Sequence, residues 1–91
     1  MKITTSKGKT FDINFIWPIN RDGGRLMIEL ADDRPMEEIA HDFDGIQTIE
    51  KTDERKPGVK EVYEGYTSLV IMSRENYEGV IRLTLKKGDA A

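Results

Sequence analysis

The sequence predicts a mostly-β fold of the α+β class. The expected architecture is a curled antiparallel sheet, or a partly open small barrel, of five to six strands with one short helix at about residues 35–44. Three observations carry this. Phe11, Ile13, Phe15 and Trp17 alternate with Thr10, Asp12 and Asn14, the period-two pattern of a strand with one apolar face. Only one segment has helical periodicity: Met36, Ile39, Ala40 and Phe43 fall at i, i+3, i+4 and i+7, a single apolar stripe suited to docking on a sheet. The connections between apolar segments are mostly of hairpin length, which favours antiparallel pairing because parallel strands need long crossovers.

Taken in order, Ile3 to Thr5 forms a short strand and Ser6-Lys7-Gly8 a turn. The strand over Phe11–Trp17 is expected to place its four large side chains on one face, and Pro18, which has no N–H to donate, is expected to end it. Asn20 to Gly24 reads as a loop. The next strand alternates Leu26, Ile28 and Leu30 inward with Arg25, Met27 and Glu29 outward. Pro35 fits the first turn of the helix, where its missing N–H costs nothing. Glu37 and Glu38 lie where the helix dipole favours negative charge, and Gly45 is placed to close the helix in the left-handed conformation.

Ile46 to Glu50 reads as a strand with Ile49 inward. Residues 52–58 hold four charged side chains together with Pro57 and Gly58, the composition of a flexible, solvated loop. The long segment Val59 to Ser73 is interrupted by Gly65, which suggests a bulge or sharp bend. Beyond it, the continuous apolar run Leu69 to Met72 is what a central strand covered on both sides would show. Glu75 to Gly79 turns the chain, Ile81, Leu83 and Leu85 form the last alternating strand, and residues 87–91 read as a frayed tail.

Ninety-one residues make one domain, 1–91. With 37% hydrophobic residues and a net charge of only −3, the chain has enough apolar surface to condense. It has no cysteine and one histidine, so disulfides, thiolate zinc sites, cysteine nucleophiles and histidine metal cages are all ruled out. No uncharged run is long enough to cross a bilayer, and membrane insertion is not expected. The 14 basic and 17 acidic residues give a mildly acidic balance that opposes generic nucleic-acid binding.

No catalytic, metal or cofactor residues are assigned. His41 lies beside the helix stripe with no nucleophile or orienting carboxylate in evident reach. Asp42-Phe43-Asp44-Gly45 has a fragment of calcium-loop composition but lacks the remaining oxygen ligands and the closing glutamate, and reads as a helix end. Asp32 and Asp33 precede the helix, where acidic side chains help its unpaired N–H groups. Gly23-Gly24 lacks the spaced glycines and Lys-Ser/Thr of a phosphate loop. The aromatics Trp17, Tyr63, Tyr66 and Tyr77 are the candidate interface residues, since such side chains bury area while keeping a polar tip. They also pack across strands inside sheets.

Lys9-Thr10-Phe11-Asp12-Ile13, the stretch from Leu30 through Asp33-Arg34-Pro35 to Phe43-Asp44-Gly45, Tyr63-Glu64-Gly65-Tyr66-Thr67-Ser68-Leu69 and Val80-Ile81-Arg82-Leu83-Thr84-Leu85 form a layout that resembles a family of small proteins. These occur in prophage and phage-like regions of Gram-positive gut bacteria, often amid tail-structural genes. The resemblance spans roughly residues 9 to 86 and consists of packing and turn signals. It implies a non-enzymatic structural or interaction module of tail or virion assembly, in the bacterial cytoplasm or the virion, with a protein partner or self-association and no cofactor. The alternative expectation is a small barrel of the oligonucleotide/oligosaccharide-binding type, whose strand order is compatible; Lys9, Trp17 and Arg25 are its best binding residues.

Overall fold

The structure is a computed structural model that describes residues 1–20, 23–43, 45, 48–74 and 79–88. Its elements are β1 (Lys2–Thr5), β2 (Thr10–Ile19), β3 (Arg25–Ala31), α1 (Met36–Phe43), β4 (Thr48–Thr52), β5 (Lys60–Glu64), β6 (Tyr66–Arg74) and β7 (Val80–Lys87). The strands form one antiparallel sheet in the order β5-β4-β1-β2-β3-β7-β6. The sheet is curled but not closed into a barrel. Seven strands replace the five to six expected, because the long segment after Val59 divides at Gly65 into β5 and β6. These two sit at opposite ends of the strand order although only Gly65 separates them in the chain.

Gly65 makes this corner with φ of +84°, a conformation that strains any residue with a Cβ. Its carbonyl accepts a hydrogen bond from the Gly88 N–H at 2.9 Å, which ties the corner to the chain leaving β7. β7 itself runs on through Lys87, whose N–H donates to the Gly24 carbonyl at 3.1 Å.

β2 serves two neighbours in turn. Thr10 to Asp12 pair with β1, whereas Ile13 and Phe15 to Ile19 pair with β3. The register with β3 slips between Ile13↔Leu30 and Phe15↔Glu29, leaving Asn14 as an inserted residue. One extra residue reverses which face each later side chain meets. Phe11 and Ile13 are therefore buried before the bulge and Ile16 after it, while Trp17 is 66% exposed. The four large side chains expected on one face are split between two. Pro18 does not end β2, which continues to Ile19. Among the described residues Pro18 has a paired neighbour only on the β3 side, the edge position where a residue without an N–H costs least.

The remaining alternations follow the sequence. Leu26, Ile28 and Leu30 are fully buried on β3, Ile81, Leu83 and Leu85 are buried on β7, and Ile49 is fully buried on β4. The apolar run Leu69 to Met72 lies not on a central strand but on β6, at one end of the order. There the register steps from Leu69↔Leu85 to Ile71↔Thr84, and the inserted Val70 is 44% exposed. Ile46, Asp44 and residues 75–78 fall outside the described residues.

The Pro35 carbonyl accepts from the N–H groups of Glu38 and Ile39 at the start of α1, and Gly45 follows the helix with φ of +69°. Ile39 and Phe43 are fully buried on its inner face. Phe43 meets Phe11 of β2 with ring centroids 5.0 Å apart and planes tilted by 30°, a geometry that aromatic pairs favour. The loop over 52–58 is built of turns: Lys56 N–H donates to the Asp53 carbonyl, Arg55 N–H to the Asp53 carboxylate, and Val59 N–H to the Lys56 carbonyl.

Replacing Gly65 with Ala should lower unfolding stability in urea by about 1–2 kcal/mol, the cost of holding a Cβ-bearing residue in the left-handed region. Gly65→Asn should cost less, because asparagine tolerates that conformation better.

Candidate functional site

The outer face of β2, β3 and β7 carries the most exposed aromatic side chain among the described residues. The ladder registers place its side chains in rows. Phe15, Glu29 and Arg82 form one row, Trp17, Met27 and Thr84 the next, and Ile19, Arg25 and Lys86 the third. Arg82 is drawn to Glu29 (Nε to Oε1, 3.6 Å) and lies 5.9 Å from the Phe15 ring centroid. Phe15 is thus partly covered, and Trp17 in the adjacent row is not. The strand edge beside Trp17, on the side away from β3, has no paired strand among the described residues. Within these three rows, among the described residues, the basic Arg25, Arg82 and Lys86 outnumber the acidic Glu29.

The other candidate aromatics have different surroundings. Tyr66 is only 6% exposed and belongs to the core; the Lys87 ammonium lies 5.4 Å from its ring centroid, and burial pushes its hydroxyl pKa up. Tyr63 is half-buried opposite Ile49 of β4. Its hydroxyl donates to Glu61 Oε2 at 2.8 Å, and Lys51 Nζ lies 3.3 Å from the same oxygen. Burial first, and then the hydrogen bond to Glu61, push the Tyr63 hydroxyl up to about 12. Tyr77 lies outside the described residues. Of the four candidates, the structure offers Trp17 to solvent and draws Tyr66 into the interior, where the sequence alone left both options open.

Arg34 organises a polar cluster that the sequence did not single out. Its backbone N–H donates to Asp32 Oδ1 at 2.9 Å, its guanidinium reaches both Asp32 oxygens at 2.6–3.1 Å, and Asp42 Oδ2 lies 3.5 Å from Nη1. The hydrogen bond to Asp32 holds the guanidinium above its ordinary range. The same group sits 5.1 Å from the Phe11 ring centroid. Asp32 and Asp42, read in sequence as helix-terminus carboxylates, thus hold a cation over the buried Phe11 ring. An aspartate two residues before the N–H it captures is the spacing of an Asx turn, and that was the available signal. His41 is exposed in the last turn of α1, with its carbonyl accepting from Lys7 Nζ. Among the described residues, no group of three or more histidine, cysteine or acidic side chains could hold a metal ion.

Among the described residues, two shallow recesses lie elsewhere. One, of about 190 Å³, is lined by Thr4, Thr5, Ser6, Thr48 and Glu50; the other, of about 60 Å³, by Lys51, Asp53, Lys56, Val59 and Glu61. Thr5 is 3% exposed, and its Oγ1 has no hydrogen-bond partner among the described residues. Among the described residues, no helix is long and apolar enough to cross a membrane. Fold and surface together define a small mostly-β domain with one helix and an exposed aromatic face. Comparison with known proteins adds no relative: no family model, no curated protein and no solved structure matches the chain.

Thr5→Val should stabilise the fold by about 1 kcal/mol in urea unfolding, because it removes a buried hydroxyl without a partner at constant shape. The raised Tyr63 pKa gives a second expectation. A phenol kept neutral by the fold contributes stability that is complete below the ordinary tyrosine pKa near 10 and is lost as pH rises through about 12. Stability should therefore fall over that interval, less so in Tyr63→Phe, and phenolate absorbance of the variant should lack the latest-titrating component while keeping the raised Tyr66.

Proposed function

We propose that the chain is a non-enzymatic interaction module that presents the outer face of β2, β3 and β7, centred on Trp17, to a protein neighbour. The observation that carries this reading is the exposure of Trp17 to 66% of its surface in a row with Met27, on a strand with an open edge. A large aromatic is the side chain most often at the energetic centre of a protein interface, and exposing one in a monomer leaves apolar area uncovered. The two recesses are shallow and lined by hydroxyls and ion pairs, which suits a binding role better than a reaction chamber. The assembly setting, a phage-derived tail or virion in or from a bacterial cytoplasm, is supported by the resemblance of Lys9–Ile13, Leu30–Gly45, Tyr63–Leu69 and Val80–Leu85 alone.

The test uses the single tryptophan. A photo-crosslinking residue at position 17 should give one discrete protein adduct in producing cells, and the same residue at exposed Lys9 should not. Affinity for the purified partner so identified should fall at least tenfold in Trp17→Ala. Absence of any adduct, together with quenching of Trp17 emission by single-stranded DNA at low salt, would replace this reading with the oligonucleotide-binding one.

A further inference from the structure

β5 is the last strand at one end of the sheet. It pairs with β4 in an unbroken register over all five residues, from Thr48↔Glu64 to Thr52↔Lys60. Lys60, Glu61, Val62 and Glu64 are exposed, Val62 to 47% of its surface. No described strand lies beyond its outer edge. The other open edges are blunted in ways natural sheets use to prevent pairing. The edge of β2 carries Pro18, and β6 has two register shifts against β7. β5 has neither a proline nor a bulge.

We propose that a second copy of this chain pairs antiparallel with the outer edge of β5, about a two-fold axis at Val62. The sequence of the strand, Lys-Glu-Val-Tyr-Glu, complements itself in that arrangement. Lys60 stands opposite Glu64 of the partner subunit, Glu61 opposite Tyr63 of the partner subunit, and Val62 opposite Val62 of the partner subunit. Opposite charges directly across an antiparallel pair are favourable and like charges are not. Lys60 already lies 3.4 Å from Glu50 on its own sheet, so its ammonium would sit between two carboxylates. The exposed Val62 would be covered by its own copy.

Charge also rejects the alternatives. An axis at Glu61 sets that carboxylate against itself. Parallel in-register pairing opposes Lys60 to lysine and Glu61 and Glu64 to glutamates. An axis at Tyr63 forfeits the Lys60–Glu64 pairs and carries the ladder into the Gly65 corner. A closed, two-fold arrangement of identical patches is the usual form of a homodimer. The surface is separate from Trp17, so the proposal stands or falls apart from the function proposed above.

The experiment is sedimentation velocity from micromolar to millimolar concentration on four samples. Wild type should pass from monomer to dimer. Lys60→Glu alone and Glu64→Lys alone should each weaken association at least tenfold, because each opposes like charges across the axis. An equimolar mixture of the two should re-form a dimer at least as well as wild type, since every charged pair is then complementary. In a second measurement, Val62→Cys places the only thiol of a cysteine-free chain on the axis. Cα atoms facing each other across an antiparallel pair, at about 4.5–5.5 Å, are within disulfide reach. Val62→Cys should therefore oxidise to a covalent dimer, and Val70→Cys, equally exposed on β6, should not. A wild type monomeric throughout the range would overturn the proposal. So would single variants that dimerise like wild type, a mixture that fails to associate, or a dimer abolished by Trp17→Ala and indifferent to Lys60→Glu.

Discussion

The contact between Phe43 and Phe11 joins α1, which otherwise lies against β6, to β2, and much of the remaining architecture follows from it. Phe43 closes the buried stripe of α1, and Phe11 lies on β2 just before that strand passes from one neighbour to another. Arg34 lies over the Phe11 ring of the same pair, fixed by carboxylates from both ends of the helical segment. Two aromatic rings and a guanidinium so arranged gain dispersion and cation–π attraction. They also fix the entry and exit of the helix, so β4 leaves in position to pair with β1.

The inserted residue at Asn14 lets β2 contribute to the interior and to the outer surface in turn. Phe11, Ile13 and Ile16 fill the core, while Trp17 on the same strand faces solvent. A strand without the bulge would send Trp17 inward and Ile16 outward, giving a different core volume and no exposed aromatic. Candidate surface and core are therefore two outcomes of one irregularity in the ladder.

Much of the fold was legible in the sequence because particular residues carry unambiguous periods. Leu26, Ile28 and Leu30 alternate cleanly with polar neighbours, as do Ile81, Leu83 and Leu85, and all six are buried as read. Pro35, the Met36–Phe43 stripe and Gly45 marked the helix from start to stop. Gly65 marked the corner, though not that it separates strands at opposite margins of the sheet. The bulge was hidden because every residue from Phe15 to Ile19 is apolar, so both phases look equally buried. The margin position of β6 was hidden for a similar reason: a continuous apolar run reads as central whether or not a strand covers it. Tyr66 and Trp17 were indistinguishable as types, and only three-dimensional position separated a core phenol from an exposed indole.

Gly65 joins the first and last strands of the sheet, and β2 spans its two halves. With the passage from β3 through α1 to β4, the halves are thus linked covalently at three places. Neither can fray far without pulling on the other through one of these links, so the molecule should melt as a single cooperative unit. In so short a chain, that triple linkage lets a modest interior act as one body.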